Sequence, residues 1–308
     1  MRFAIVGAGA VGLYFGGRLA AGGHEVTFLA RGKTLAALRR EGLELTSPKG
    51  DLHLADVRAE ERPEAIGEVD AVLLAVKAWQ VPEVAPSLRP LVGPNTTLLP
   101  LQNGVEAPDQ LLKHFPGRVL GGLCKIISEA TAPAVVRHLG AEPTIALGEL
   151  DGAASPRVAD LASALDGAGI VAETPDDIRK AMWKKFLFIA PVSGIGAITR
   201  VPLGVFRQMA ETRQLVRRSM EEVVAVARAL GIALSDHTLE ATLAFLDGLP
   251  PAGTASMQRD LMAGRPSELE SQTGAVVRLA AQAGVEVPVN DFLYRCLLPS
   301  ERAARRES

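Results

Sequence analysis

Six residues near the amino terminus constrain this chain most: Gly7-Ala8-Gly9-Ala10-Val11-Gly12, a G-x-G-x-x-G that follows the apolar run Arg2 to Val6. In this spacing the first glycine permits a tight turn out of a strand and the second lets backbone approach a pyrophosphate. The third lets the next helix pack closely on the sheet. Val11 to Ala21 reads as that helix, Gly22-Gly23 ends it, and Glu25 to Leu29 reads as a second strand. A glycine turn without a ligand is the plainer explanation, but strand, turn and helix stand here in the order that dinucleotide binding needs. The helix would direct free N–H groups and its positive dipole end at the phosphates. Gly7, Ala8, Gly9, Ala10, Val11 and Gly12 are therefore expected to hold a dinucleotide.

The end of the second strand bears on which one. An Asp or Glu there accepts hydrogen bonds from the ribose hydroxyls of NAD, whereas a 2′-phosphate calls for positive charge. This chain has Ala30-Arg31-Gly32-Lys33. A guanidinium matches a 2′-phosphate in charge and in fork geometry, so Arg31 points to NADPH/NADP+. The alternative is that Arg31 and Lys33 are ordinary solvated charges.

A length of 308 residues suffices for two domains. The net charge of −2 gives no general attraction to nucleic acid or to an anionic membrane, so neither is expected as a partner. Cys124 and Cys296 have no metal-ligand or redox spacing; they suit a reducing cytoplasm, and no metal is expected. The glycine turn interrupts the first apolar run too early for a signal segment, and no apolar stretch is expected to approach the ~18 residues of a membrane span.

Beyond residue 30, apolar runs alternate with helix-like intervals, the pattern of a parallel sheet with crossover helices. Asp70 to Val76 and Thr96 to Leu101 read as buried strands ending in Lys77-Ala78-Trp79-Gln80 and Gln102-Asn103-Gly104. Ligands of open α/β sheets bind outside the carboxyl ends of strands, so these side chains are expected to meet them. Val119 to Ile127, Ala134 to Leu139 and Thr144 to Leu147 are expected to extend the sheet with antiparallel strands. Val158 to Ala168 and Ile170 to Glu173 then close the first domain. Thr174-Pro175-Asp176-Asp177 reads as a helix start, with a hydroxyl cap, proline at the first position and acids in the first turn. After it, 177–190, 207–230, 236–247, 255–263 and 268–283 carry helical periodicity and no convincing strand. The expected fold class is α/β: a doubly wound sheet over 1–173, an all-helical domain over 174–308, and a frayed tail from Glu301 to Ser308. The helical domain's apolar faces suit a closed core and a homodimer equally.

A dinucleotide domain followed by a helical one suggests hydride transfer in a cleft between them, which needs a proton donor. His24, His53, His114, His138 and His237 have no apparent tie to such a cleft. Ala181 to Ile189, AMWKKFLFI, opens the helical domain with Lys184 and Lys185 inside a largely apolar helix. Burial would lower a lysine pKa toward that of a working general acid. Snorkelling of both lysines to solvent is the competing explanation, and periodicity alone does not choose.

The glycine fingerprint, Arg31, Val76-Lys77-Ala78-Trp79-Gln80, Gln102-Asn103-Gly104, Trp183-Lys184-Lys185, and Ser256-Met257-Gln258-Arg259-Asp260 running on to Ser267-Glu268 occur in order over nearly the whole chain. Together they resemble the ketopantoate reductase family, which reduces 2-dehydropantoate to (R)-pantoate with NADPH. The resemblance implies a Rossmann-type N-terminal domain, a helical C-terminal domain and a small-molecule 2-oxo acid as partner. Its register puts the catalytic lysine on Lys185, as general acid to the developing alkoxide. The catalytic glutamate falls on Glu268, which orients the substrate through a hydroxyl. Asn103 is implied near nicotinamide and substrate, Lys77 on cofactor or substrate, and Ser256 on the substrate carboxylate.

Without the resemblance Asn103-Gly104 is a turn, Lys77 a strand-end charge and Ser256 a helix cap. Ser267-Glu268-Leu269-Glu270 is then a capping box in which Glu270 reaches back to Ser267. The family's asparagines four and eight residues after the lysine are Ile189 and Ser193 here, with Pro191 between them. Ser193 keeps hydrogen-bonding capacity for a substrate and Ile189 has none. Pro191 is expected to kink or end the helix. The chemistry is thus better supported than the substrate. A reductase of another 2-oxo acid, an opine or 3-hydroxyacid type of dehydrogenase, and a non-catalytic NADP(H) sensor are the competing functions.

Overall fold

A computed structural model of the chain describes residues 1–140 and 142–306. Met1–Gln102 with Ala107–Ile178 form one compact unit, and Asn103–Glu106 with Arg179–Ser308 form a second.

The first unit runs β1 (Arg2–Val6), α1 (Ala10–Ala21), β2 (Glu25–Leu29), α2 (Gly32–Glu41), β3 (Leu43–Thr46), β4 (Leu52–Leu54), β5 (Arg58–Glu60), β6 (Val69–Leu74), α3 (Val81–Val84) and β7 (Val92–Pro100). It continues with α4 (Ala107–Leu112), β8 (Gly121–Lys125), β9 (Ser128–Ala132), β10 (Val135–His138), β11 (Thr144–Gly148), α5 (Pro156–Gly167) and β12 (Val171–Glu173). A 5-stranded parallel sheet has the order β5-β2-β1-β6-β7. Side chains alternate across a strand, so Phe3 and Ile5 enter one core with Tyr14, Phe15 and Phe28. Ala4 and Val6 enter another, with Val72, Leu74 and Leu88. The sheet is buried on both faces, as a doubly wound arrangement requires. Strand order reverses at β1, with β2 and β5 on one side and β6 and β7 on the other. The glycine turn therefore leaves β1 at the switch point, where such sheets bind ligands.

Of the runs expected to extend this sheet, only the start of the first does so, Val119 bridging Leu98 of β7 in parallel; the strands that follow form sheets of their own. β8 and β11 pair antiparallel and, with β12, make a 3-stranded sheet, while β9 and β10 join β3 and β4 in a 4-stranded one. The hairpin of β3 and β4, unanticipated from the sequence, presents the edge that takes β10 in parallel. Its register sets Val136 beside Leu45, and both are buried.

The second unit is all-helical: α6 (Ile178–Thr199), α7 (Leu203–Gln208), α8 (Ala210–Ala229), α9 (Asp236–Gly248), α10 (Ser256–Met262), α11 (Thr273–Ala283) and α12 (Pro288–Arg306). Thr174 does not cap α6, which starts four residues later at Ile178. Nor does Pro191 end it; the helix runs through to Thr199. Leu187, Ala190, Val192 and Ile195 around the proline are all buried, so packing outweighs the local cost of about 3 kcal/mol. At 22 residues, α6 is by length and composition apolar enough to cross a membrane, contrary to the sequence expectation. Some 67% of its apolar stretch is buried inside the fold, which makes it a core helix.

The periodic stretch 207–230 divides into α7 and α8, and α11 begins at Thr273 rather than near 268. α12 lies in the stretch read as helical but was not singled out as an element. It stays helical to Arg306 where a frayed tail was expected, and Glu307 and Ser308 lie outside the described residues. The Glu222 carboxylate of α8 accepts the Val289 N–H at 2.8 Å and the Asn290 N–H at 2.9 Å, satisfying the first turn of α12.

Candidate active site

In the first unit the glycines do three different jobs. Gly7 has φ +104°, and a Cβ there would lie 2.6 Å from the Val76 nitrogen. A Cβ on Gly12 would strike the Gly7 carbonyl and lie 3.2 Å from the Ile5 side chain, so α1 seats on β1 only with hydrogen there. Gly9 differs from both. It is exposed, sits at the N-cap of α1 with no side-chain cap, and has no heavy atom within 4 Å of an added Cβ. The open space thus faces the unsatisfied first-turn N–H groups of α1, and a dinucleotide pyrophosphate fits that donor set. Ala8, Ala10 and Val11 line the turn, half-buried.

Arg31 is exposed at the N-cap of α2, directly after β2. Ala30 is buried and donates its N–H to the Glu60 carbonyl at 2.9 Å. The nearby acid, Glu60, is held by Arg39 at 2.7 Å. Lys77 follows β6 and opens a short 3-10 turn, Ala78–Gln80. Its Nζ lies 5.8 Å from the Trp79 ring centroid. Gln102, whose role the sequence reading missed, is buried and donates from Nε2 to the Leu74 carbonyl at 2.8 Å and the Val76 carbonyl at 3.0 Å. It ties together the chain leaving β6 and β7.

In the second unit, Asn103 and Glu268 are brought together across 165 positions of sequence: Asn103 Nδ2 donates to Glu268 Oε2 at 3.0 Å. Glu268 is 6% exposed. Gln272, unremarkable in the sequence, also donates from Nε2 to Glu268 Oε2, at 3.4 Å. The segment around Glu268 is not the start of a helix. The Ser267 hydroxyl donates to the buried Glu301 carboxylate at 2.6 Å and accepts the Leu269 N–H at 3.2 Å. Glu270 turns to Arg278 and Tyr294, so no capping box forms. Burial, then the hydrogen bond to Glu270, raise the Tyr294 pKa. Burial would lower that of Arg278, but the hydrogen bond and charge of Glu106 and the charge of Glu270 outweigh it and raise it.

Lys185 is half-buried on α6 whereas Lys184 is exposed. Ile189 and Ser193 follow at four-residue steps on the same helix face, Ile189 half-buried and Ser193 2% exposed. Ser256 is exposed as the first residue of α10, and Ala255 holds the N-cap position instead. Among the described residues, no group of His, Cys, Asp and Glu side chains is suited to a metal.

Two family models match the chain. Ketopantoate reductase PanE/ApbA matches residues 3–152, and Ketopantoate reductase PanE/ApbA C terminal matches residues 177–301. The chain is 30% identical to the uncharacterized oxidoreductase YkpB of Bacillus subtilis, with 96% of this chain and 97% of that protein covered. It is 31% identical to a 2-dehydropantoate 2-reductase of Mesorhizobium japonicum, covering 94% and 95%. Among solved structures, a 2-dehydropantoate 2-reductase from Geobacter metallireducens superposes with a TM-score of 0.90 at 34% identity, covering 97% of this chain and 100% of that one.

Proposed function

This chain belongs to the ketopantoate reductase family, and on that premise we propose that it reduces 2-dehydropantoate to (R)-pantoate with NADPH, supplying pantothenate and coenzyme A synthesis in the cytoplasm. It is an oxidoreductase that uses a nicotinamide cofactor on a small-molecule substrate. The observation that carries the finer reading is the Asn103–Glu268 pair, a buried carboxylate fixed by an amide in the unit that also holds Lys185.

Gly7, Gly9 and Gly12, with Ala8, Ala10 and Val11, would hold the pyrophosphate, Arg31 the 2′-phosphate, and Lys77 would contribute charge beside cofactor or substrate. A nicotinamide held there would supply the hydride that the keto carbon receives. Lys185 gives its Nζ proton to the developing alkoxide as general acid. Glu268 accepts a hydrogen bond from a substrate hydroxyl, Asn103 keeps that carboxylate oriented, and Ser256 binds the substrate carboxylate. Ser193 stands on the Lys185 face, but its burial makes it the weakest of the substrate contacts.

The test is loss of nicotinamide absorbance when the purified protein meets NADPH and 2-dehydropantoate, beside Lys185→Ala and a panel of other 2-oxo acids. Turnover of 2-dehydropantoate should fall by about 10²–10⁴-fold in Lys185→Ala, the usual worth of a positioned acid. Equal activity in the variant removes Lys185 from that role. The half-buried Ile189, apolar one turn from Lys185, favours a second reading, reduction of a different 2-oxo acid. Brisk turnover of another acid with none of 2-dehydropantoate selects it.

A further inference from the structure

The segment Asn103–Glu106 is flanked on both sides by chain of the first unit, yet it packs as part of the helical one. Three fixings hold it there. Asn103 reaches Glu268 at one end, and Glu106 meets Arg278 Nη2 at 2.8 Å at the other. Between them Gly104, at φ +114°, approaches so closely that a Cβ would lie 2.7 Å from the Ser271 carbonyl oxygen. Arg278 is itself doubly anchored, from Nη1 to the Glu270 carboxylate at 3.0 Å and from Nη2 to the Glu270 carbonyl at 2.6 Å. Tyr294 donates to the other oxygen of that carboxylate at 2.8 Å.

These links close a ring. From Asn103 it passes to Glu268, along the chain to Glu270, through Arg278 to Glu106, and back along the chain to Asn103. The sequence distance between Glu268 and Glu270 is short, so the ring leaves the Asn103 amide little room to move while both polar links hold. We propose that Arg278 is a positioning residue: through Glu106 it keeps segment 103–106 on the helical unit and the Asn103 amide on Glu268. The guanidinium suits this task because its planar fork donates to Glu106 and Glu270 at once, which a lysine ammonium does with less geometric control. The catalytic consequence rests on the roles proposed above for Asn103 and Glu268, whereas the clamp itself does not.

Two measurements on the full chain test it. In a cycle of Arg278→Met, Asn103→Ala and the double variant, Arg278→Met lowers kcat for the reduced 2-oxo acid about tenfold in the wild-type background, but by less than about twofold beside Asn103→Ala, because groups acting as a unit are non-additive. The KM for NADPH stays unchanged, and Arg278→Lys restores part of kcat. Equal losses in both backgrounds overturn the positioning role. Amide hydrogen exchange is read alongside, without turnover: a peptide covering 103–106 exchanges faster in Arg278→Met than in wild type, while peptides of α8 and α9 keep their protection. Unchanged exchange at 103–106 overturns the clamp. A wild-type protein inert toward every 2-oxo acid would refute the proposed reaction instead, and exchange alone would then decide the clamp.

Discussion

At the scale of single residues, the three fingerprint glycines look alike in the sequence and differ in the structure. A Cβ at Gly7 or Gly12 meets backbone, whereas one at Gly9 meets nothing within 4 Å. Gly9→Val should therefore leave thermal stability nearly unchanged while blocking the cofactor, and Gly12→Val should lower the melting temperature itself. Thermal unfolding and NADPH titration on the two variants check this; a destabilised Gly9→Val would contradict the open cradle. Arg31 makes a second case, because it stands exposed beside a β2 end that offers no acid of its own. Arg31→Ala is expected to weaken NADPH roughly ten- to hundredfold and NADH little, the range of one charge-assisted hydrogen bond. Equal weakening of both cofactors would remove Arg31 from the 2′-phosphate.

At the scale of elements, helix ends decide much of the stability. Ser155 caps α5 by accepting the Val158 N–H, and the adjoining Glu149 takes Arg157 through Nε at 2.6 Å and Nη2 at 2.5 Å. The Arg157 hydrogen bond outweighs the opposing effect of burial, so the Glu149 pKa is lowered in the fold. A carboxylate with a depressed folded pKa contributes stability above its unfolded value and loses it as pH falls through the folded one. Urea stability should thus decline as pH drops below about 5, and Arg157→Met should make that decline shallower. At the other end of the chain, Glu301 is 1% exposed, accepts both the N–H and hydroxyl of Ser267, and pairs with Arg305 at 2.7 Å. It pins α12 to the residue beside Glu268. Glu301→Ala should cost about 2–3 kcal/mol in chemical denaturation, since it strands the buried N–H and hydroxyl of Ser267.

At the scale of the whole molecule, a cofactor that binds the folded protein alone must stabilise it by mass action. NADPH at a hundred times its dissociation constant should add about 2.7 kcal/mol to unfolding, and NADH at the same concentration distinctly less. Calorimetric scans with each cofactor measure this directly, and identical shifts would contradict NADPH preference.

Local pattern carried a large part of this protein. The strand, glycine turn and helix from Arg2 to Ala21, the buried strands β6 and β7, and the helical run after residue 177 were legible because each depends on neighbours a few positions away. Glu268 and Lys185 were reached by family register, and half-burial distinguishes Lys185 from Lys184 only in the fold. What tertiary structure alone decided were the associations between distant segments. β10 paired with β3 rather than extending the main sheet, α6 continued through Pro191, and α12 formed with its first turn satisfied by Glu222 from another helix. Asn103, which the sequence shows as a turn after a strand, joined the helical unit and Glu268. The physical reason is common to all of these: backbone periodicity and turn chemistry are short-range, whereas the partner that satisfies a strand edge, a helix end or a buried carboxylate is selected by packing between residues far apart in the chain.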